Sequence, residues 1–262
     1  MTNGQVLSLA TYPIKGFNSE MKDEIELVKG DGFPGDRMFG FAKKSSGFDA
    51  KNPKPLPKDR FIVLLQYANL ARLKTIYDPN TRLLSIKTKN DGTSIYNMAD
   101  EIDKNKVSVF LSDFLNLTEN EKPYFVGAGP SHRFTDVSVV SKKFMNAISL
   151  LNLDSVKKLG MKISKKIDPL RFRANIIFEG WPAFSELELV DRVIKIGEVE
   201  FRVLQRTKRC AATEVNPKTA KRDLKIPNLL KKNFNHSDMG IYLETLNDGI
   251  LKKGQAVELL EN

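Results

Sequence analysis

The sequence predicts a mostly β protein of the α+β class, built from two halves. Apolar and polar residues alternate with a period of two over several short segments, which is typical of half-buried strands. Helical spacing of apolar residues is confined to short stretches such as 107–115. The composition becomes polar around 118–122, and we place the boundary between the halves somewhere from 95 to 120. The two domains are therefore expected at 1–95 and 105–262.

Each half has its own series of expected elements. In the first half, strands are expected at 6–10, 24–28, 38–42 and 83–86, and turns at 30–37, 78–80 and 90–92. A proline- and lysine-rich loop is expected at 51–58. Residues 60–65 are either a strand or the beginning of a helix. In the second half we expect buried strands at 147–152 and 176–178, a short helix at 154–160 ended by Gly160, and two strands within 193–204 broken at Gly197.

The composition limits the kinds of site that the chain can build. At 262 residues, the chain is long enough to bury a sizeable core in each half. It has 41% hydrophobic and 28% charged residues, which is ordinary for a soluble globular protein. One cysteine excludes an internal disulfide and a multi-cysteine zinc or iron–sulfur site, and two histidines argue against a histidine-rich metal centre. Any metal would therefore arrive with most of its ligands supplied by a cofactor.

Targeting signals and charge give a further expectation. The N-terminal residues lack the features of a signal peptide, and no apolar run approaches the roughly 18 residues of a membrane span. We therefore expect a cytoplasmic protein without a membrane partner. The net charge of +10 is explained either by an anionic partner or by a generally basic proteome. Nucleic-acid binding is disfavoured because no segment interleaves aromatic residues with cations.

The lone cysteine, Cys210, follows the expected strands of 193–204. Arg206, Lys208 and Arg209 flank it, and nearby cations stabilise a thiolate, so its pKa is expected below the free value of about 8.5. A thiolate attacks electrophiles or binds soft metals. The alternative is a buried and inert thiol, since free cysteines are often buried. The local sequence leaves both alternatives open.

Several cations outside this stretch are placed where an anion could bind. Lys15 lies on a loop between Pro13 and Gly16, where it could equally be a solvated lysine. Arg37 ends a glycine-rich turn, which is weak evidence for phosphate binding and lacks the Gly-Lys-Ser/Thr of a Walker A loop.

A second cationic group lies in 171–175. If that segment is extended, Arg171, Arg173 and Asn175 share one face and could bind a phosphate through charge-assisted hydrogen bonds. Asn152 would lie at the N-terminal edge of the helix 154–160, where backbone donors favour anions.

Six short motifs occur in an order that resembles the MOSC proteins. They are Tyr-Pro-Ile-Lys (12–15), Gly-Asp-Arg (35–37), Arg-Phe-Arg-Ala-Asn (171–175), Trp-Pro-Ala-Phe (181–184), Arg-Cys (209–210) with Thr-Glu-Val-Asn-Pro (213–217), and Gly-Ile-Leu-Lys-Lys-Gly (249–254). More narrowly, the chain resembles those MOSC proteins whose MOSC domain follows an N-terminal MOSC β-barrel domain. That group includes the mitochondrial amidoxime-reducing component and bacterial relatives that protect against N-hydroxylated bases. The resemblance spans nearly the whole chain and is weakest at 43–110.

The resemblance implies an N-terminal MOSC β-barrel-like domain followed by a MOSC β-barrel with a few short helices. It implies that Cys210 is both the metal ligand and the catalytic residue of a molybdenum cofactor, Mo-molybdopterin, held in a cationic cleft between the domains. The implied cofactor-binding residues are Lys15, Arg37, Asn152, Arg171, Arg173, Asn175 and Lys208. Asn152 is a looser match. Gly16 and Lys208 stand where the amidoxime-reducing component has serines, which affects the details of cofactor contacts and substrate preference.

The implied function is that of an oxidoreductase that uses the molybdenum cofactor to reduce N-hydroxylated compounds. With one cysteine the chain cannot bind an iron–sulfur cluster, so electrons would come from a separate ferredoxin, flavodoxin or cytochrome. Because the MOSC-like segment reaches residue 262, we also expect no C-terminal ferredoxin-type domain of the kind found in some bacterial relatives. The alternative, drawn from MOSC domains attached to molybdenum-cofactor sulfurases, is a cofactor carrier or sulfur-transfer-related protein without reductase activity.

Overall fold

A computed structural model describes residues 3–88, 92–129 and 131–260 and confirms the mostly β fold. The expected turn at 90–92 falls largely on residues 90 and 91, outside the described residues. The strands are β1 (Gly4–Thr11), β2 (Glu20–Lys22), β3 (Glu24–Leu27), β4 (Phe39–Lys43), β5 (Lys74–Asp78), β6 (Leu83–Lys87), β7 (Thr93–Asn97), β8 (Pro123–Gly127), β9 (Ile148–Asn152), β10 (Ile176–Glu179), β11 (Val193–Ile196), β12 (Val199–Lys208), β13 (Asp238–Thr245), β14 (Gly249–Lys252) and β15 (Ala256–Leu259). The α-helices are α1 (Glu101–Leu115), α2 (Lys142–Met145), α3 (Leu153–Lys162) and α4 (Ile226–Phe234).

Seven of the strands close into a barrel. The ring runs β1, β10, β9, β13, β12, β11, β15 and back to β1, and only the β9–β10 pair is parallel. Closure removes the exposed edges of these strands, which would otherwise pair with other chains. The expected break at Gly197 is confirmed, because it separates β11 from β12.

The barrel interior is filled by the alternating apolar side chains of its strands. Val199, Phe201 and Val203 are completely buried on one face of β12, as their spacing predicts. The Trp181 ring packs edge-on against Phe178, with 5.0 Å between the ring centroids. Beyond Val203 the register of β12 against β13 shifts twice, and such bulges bend a strand and re-aim its last residues.

A second core forms outside the barrel. The helix expected at 107–115 is confirmed as the C-terminal part of α1, which begins after the N-cap Asp100. Its buried Val107 and Leu111 lie in one apolar cluster with Phe17 and Phe41. β4 pairs with β8, while β5, β6 and β7 form a separate antiparallel sheet, so two small sheets and α1 build this unit in the described residues.

Several strand pairings cross the expected division into 1–95 and 105–262, among them β3 with β14. β1 comes from the start of the chain but pairs with β10 and β15 of the barrel. β8 lies after the expected boundary but pairs with β4 of the first half. The polar residues of 118–122 form the turn between α1 and β8 rather than a linker between domains. The second unit is therefore an insertion between β1 and the remaining barrel strands.

The segment 171–175 is not extended, which corrects the shared-face argument. Residues Pro169–Phe172 form a 3₁₀ helix, because Asp168 caps its first turn and Pro169 suits the first helical position. Arg173 then adopts a left-handed conformation, with φ of 53°. The two arginines therefore leave the chain in different directions instead of projecting from one face of a strand.

Two other local expectations are also corrected. α3 continues to Lys162, so Gly160 lies within the helix and does not end it. A Cβ at Gly160 would lie 2.7 Å from the Lys165 carbonyl oxygen, so its role is close packing. Residues 60–65 form neither a strand nor an α-helix, although Phe61 makes a single bridge with Ala42. A 3₁₀ helix follows at Ala68–Arg72.

Candidate functional site

A cleft of about 360 Å³ lies between the barrel and the inserted unit, and cations dominate its lining. Among the described lining residues, the lysines and arginines are Lys15, Arg37, Lys58, Arg171, Arg173, Arg206, Lys208 and Arg209. The only carboxylate in the same lining is Asp136. Three of these eight cations pair with carboxylates outside the lining, Arg37 with Asp36, Arg171 with Asp223 and Arg206 with Glu188. The remaining five outnumber Asp136, so the cleft carries a net positive charge that attracts an anion.

Cys210 lines this cleft immediately after β12. It is partly exposed and precedes the 3₁₀ helix Ala211–Glu214. The Thr213 hydroxyl donates a hydrogen bond of 2.8 Å to the Cys210 carbonyl oxygen, which fixes the backbone at this position. Cys210 therefore lines the cleft and is not completely buried in a core.

Tyr12 holds two of the cleft arginines. The guanidinium carbons of Arg37 and Arg173 lie 4.6 and 4.3 Å from the centre of the Tyr12 ring. Arg37 Nη2 donates to the Arg173 carbonyl oxygen at 2.9 Å, and Arg37 also pairs with the buried Asp36. Burial lowers the pKa of Arg173 to about 10, so it remains a cation at neutral pH. The stacking preorganises two positive groups without neutralising Arg173.

Lys15, Lys58 and Asp136 form a charged network at the same cleft. Lys15 Nζ donates to Asp136 at 2.6 Å and to the Phe134 carbonyl oxygen at 2.8 Å, while Lys58 Nζ lies 3.6 Å from Asp136. Burial lowers the pKa of Lys15, and Asp136 partly offsets this effect. Burial would raise the pKa of Asp136, but the attraction of Lys15 and Lys58 outweighs it and holds that pKa below its ordinary value.

Removing the Asp136 charge should destabilise the protein in a pH-dependent way. We expect Asp136→Asn to lower the free energy of unfolding at pH 7 by about 1–2 kcal/mol, less than for a fully buried pair because the carboxylate is 47% exposed. A depressed carboxyl pKa stabilises the fold above the ordinary value of about 4, and that stability is lost as the pH falls through the folded-state pKa. Chemical denaturation at pH 7 and in acid tests this.

The difference in unfolding free energy between Asp136→Asn and the wild type should become smaller as the pH falls below about 4. Asp113→Asn, which changes an exposed carboxylate on α1 away from the cleft, is the matched control and should have little effect. An Asp136→Asn penalty that stays constant down to acid pH would contradict the ion-pair explanation.

Arg171 and Arg209 support the segment that carries Cys210. Arg171 donates to the Glu214 carbonyl oxygen at 2.9 Å and pairs with Asp223 at 2.5 Å. Arg209 donates to the carbonyl oxygens of Met239 and Phe172. These contacts hold the residues on both sides of Cys210, so the two arginines position the thiol as well as contributing charge.

Gly16 allows the Lys15 loop to pack closely against the inserted unit. Its φ is +87°, and a Cβ there would lie 2.7 Å from the Ile62 carbonyl oxygen and 3.0 Å from Val63 Cα. A side chain would therefore be strained and would collide with backbone. This contact explains why a glycine follows Lys15 in this chain.

Gly16→Ala should consequently be more destabilising than a glycine substitution in an open turn. Gly47 has a similar φ of +71°, but a Cβ there would meet nothing within 4 Å, so Gly47→Ala measures the backbone cost alone. We expect Gly47→Ala to cost about 1 kcal/mol and Gly16→Ala at least about 2–3 kcal/mol of unfolding free energy. Denaturant titration of both variants tests this, and equal losses would show that the close contact is unimportant.

Side chains in the described ranges do not supply a metal site by themselves. Within 3–88, 92–129 and 131–260, no group of three or more His, Cys, Asp or Glu residues is placed to hold a metal ion. A metal at Cys210 would therefore need ligands from a bound cofactor. In the same ranges, no helix has both the length and the apolarity required to cross a membrane.

Comparison with known protein families gives a match for the part of the chain that carries Cys210. Residues 130–258 match the MOSC domain. This segment is a MOSC domain. The chain is 27% identical over 266 residues to the molybdenum cofactor sulfurase of Caenorhabditis briggsae, covering 97% of this chain and 35% of that protein. It is 28% identical over 123 residues to human mitochondrial amidoxime-reducing component 1, covering 42% of this chain and 36% of that protein.

The chain thus spans about a third of the length of these curated relatives. Among solved structures, the YUAD protein of Bacillus subtilis is similar over 98% of this chain and 96% of that chain, with a TM-score of 0.45 and 12% identity.

The MOSC domain and the inserted unit bring together all but one of the residues predicted from the sequence. Those that line the cleft are Cys210, Lys15, Arg37, Arg171, Arg173, Asn175 and Lys208. Asn175 is almost completely buried, and its side-chain oxygen accepts hydrogen bonds from the backbone and hydroxyl of Ser149. Its amide nitrogen donates to the Ala10 carbonyl oxygen, so Asn175 mainly joins β1 to the MOSC domain.

Asn152 is the exception, and the structure does not bring it to the cleft. It is completely buried, and its side-chain oxygen caps α3 by accepting from the Asp154 backbone. Its amide nitrogen donates to the Pro182 carbonyl oxygen and to Glu186. Because its polar atoms are occupied by the protein, Asn152 is not placed to bind a cofactor.

Three of the cations in the lining were not predicted as cofactor contacts: Lys58, Arg206 and Arg209. Arg206 and Arg209 were noted only as cations near the cysteine, and this proximity was a usable signal. Lys58 lies in a segment far from Cys210 in sequence, and only the packing of the inserted unit against the MOSC domain brings it to the cleft. No spacing rule within the sequence could have identified it.

Proposed function

We propose that the cleft binds Mo-molybdopterin, with Cys210 as the protein ligand to molybdenum, and that the protein reduces N-hydroxylated compounds. The observation that carries this proposal is a single accessible thiol in a cleft lined by eight cations and one carboxylate. A thiolate is a soft donor that suits molybdenum, and arginines suit an anionic phosphate. When bound, the cofactor supplies the redox-active centre for reduction of the N–O bond.

The chain's own residues would bind and orient that cofactor. Arg173, stacked on Tyr12, is preorganised to donate charge-assisted hydrogen bonds to a phosphate, and Arg37, which pairs with Asp36, would support it through the Arg173 carbonyl oxygen. Lys15 and Lys58 would also balance negative charge in the cleft, where Asp136 holds Lys15 in place. Arg171 and Arg209 would keep Cys210 aimed into the cleft.

The reaction requires an external reductant. Conversion of an N–OH group to N–H consumes two electrons and two protons and releases water. We propose that a separate ferredoxin, flavodoxin or cytochrome delivers the electrons, because the single cysteine cannot hold an iron–sulfur cluster. The human relative is named for amidoxime reduction, which supports this substrate class.

Purified protein from a host that makes the cofactor should contain about one molybdenum and one pterin per chain, since each chain offers one thiolate. Elemental analysis and pterin fluorescence measure this. The loaded protein should then reduce members of a panel of amidoximes, hydroxylamines and N-oxides with an artificial electron donor. Well-folded protein that is empty of both molybdenum and pterin after expression with ample molybdate would overturn the proposal.

A second candidate function is cofactor carriage or sulfur transfer without reduction. It is favoured by the match to the molybdenum cofactor sulfurase, which covers 97% of this chain, whereas the match to the amidoxime-reducing component covers 42%. Protein that holds the cofactor but reduces nothing in the panel, and that releases cofactor to an apo-molybdoenzyme, would support the carrier. Turnover of any panel member at a rate proportional to molybdenum content would support the reductase.

A further inference from the structure

A second cavity of about 160 Å³ adjoins the cationic cleft, and we call it the ring cavity. Its wall has apolar residues from both units of the protein: Phe17, Leu64, Leu70, Leu73, Val215 and Pro217. Phe17, Leu70, Leu73 and Val215 are almost completely buried. The cavity therefore lies at the interface between the inserted unit and the MOSC domain, and it opens to solvent beside the exposed Lys74 and Leu170.

The ring cavity and the cationic cleft share a wall. Gly16, Leu64, Arg171, Arg173 and Ala212 line both of them. Ala212 follows Cys210 by two residues, so this common wall lies beside the thiol in the chain. The two cavities are thus adjacent and meet at these five residues.

Size and lining indicate what the ring cavity would hold. A cavity of about 150 Å³ is large enough for benzene, so the ring cavity has the volume of a single six-membered ring. Its wall is mixed, because the polar Asn18 and Ser19 lie beside the apolar residues. Tyr12 and Phe17 offer aromatic contacts, and the guanidinium groups of Arg171 and Arg173 favour the face of an aromatic ring over a saturated one. The same cations, with Lys74 also in the lining, disfavour a positively charged ligand.

We propose that the ring cavity binds one uncharged aromatic ring and thereby selects substrates with a single-ring aromatic body. The polar end of such a ligand would face the shared wall and the cationic cleft. The assignment of this ring to a substrate rests on the proposed reductase function, but ring binding itself does not. It can therefore be tested without turnover.

The test compares benzamide with cyclohexanecarboxamide, which have the same amide but differ in the ring. Binding to the full-length protein, as purified, is measured by ligand-observed NMR and calorimetry. Wild-type protein should bind benzamide saturably and cyclohexanecarboxamide several-fold more weakly. Ala71→Phe places a phenyl group on a residue that lines the ring cavity and not the cleft, and it should weaken benzamide binding at least about tenfold.

Ala68→Phe is the matched control, because Ala68 lies in the same 3₁₀ helix with similar exposure but lines neither cavity. It should bind benzamide as the wild type does. If Ala71→Phe does not fold, Ala71→Leu provides the smaller obstruction and should weaken binding in the same direction. The proposal is overturned if wild-type protein shows no saturable benzamide binding, if the saturated ring binds equally well, or if both phenylalanine variants bind like the wild type.

Kinetics of the loaded protein then test the link to substrate choice. Ala71→Phe should raise KM for benzamidoxime relative to that for acetamidoxime, while kcat for acetamidoxime stays unchanged. If Ala71→Phe loses benzamide binding but the loaded wild-type protein reduces neither amidoxime, the ring cavity is supported and the reductase function is rejected. Reduction of both amidoximes with no benzamide binding would sustain the reductase and reject the ring cavity.

Discussion

Cys210→Ala should abolish the reduction of N-hydroxylated compounds by the cofactor-loaded protein. Mutating a residue that only hydrogen-bonds to a metal ligand usually reduces activity about 10- to 100-fold. Removing the proposed metal ligand itself should therefore reduce activity by more than about 100-fold. Cys210 is partly exposed and its side chain fills no core position, so the fold should be retained. The rate with an artificial electron donor, normalised to folded protein, is the measurement.

Cofactor content separates the loss of the metal ligand from the loss of the binding site. Pterin should remain partly bound to Cys210→Ala and to Cys210→Ser, because the cations that would hold its phosphate are unchanged. Both variants should have the thermal stability of the wild type. An active Cys210→Ala protein would remove the thiol from the mechanism and, with it, the proposed function.

Arg173→Gln should release the cofactor while preserving the fold. No carboxylate pairs with Arg173 in the described part of the chain, so its charge is free for a ligand, in contrast to Arg37 beside Asp36. A lost charge-assisted contact of about 1.5–3 kcal/mol corresponds to roughly 10- to 150-fold weaker binding. Pterin and molybdenum retained after dialysis are the measurements.

Arg202→Gln is the matched control for that experiment. Arg202 is exposed on β12 and does not line the cleft, so its replacement removes the same charge from the protein without removing a cofactor contact. It should retain cofactor as the wild type does. Equal cofactor loss in both variants would show that total positive charge matters and that the position of Arg173 does not.

Local patterns predicted the strands around Cys210 but not how neighbouring segments approach it. The period of two in 193–204 correctly predicted β11, β12 and their buried face, because alternation directly records which side of a strand is buried. The same reasoning failed at 171–175. There, a proline and a capping aspartate begin a 3₁₀ helix, and alternate residues no longer share a face.

The composition of the site was also only partly predictable. The cationic flank of Cys210 and the motif residues Lys15 and Arg37 could be read from the sequence, and the structure places them in one cleft. Asn152 caps α3 and does not line the cleft, and its local sequence context could not distinguish a helix-capping amide from a ligand-binding one. Lys58 and the pairing of β1 with the barrel depend on contacts between distant segments, which a local pattern does not encode.

The pairing of β1 with β15 has a consequence for how the protein folds. Gly4 lies opposite Val257, so the barrel cannot close until almost the entire chain is available. The inserted unit, whose contacts lie nearer in sequence, can form its own core earlier. Contacts of such long sequence separation slow folding, because the entropy of closing the loop is lost before the pairing stabilises the chain. During synthesis β1 would therefore remain without its barrel neighbours while the cleft is incomplete, and cofactor could be captured only after the last strand has docked.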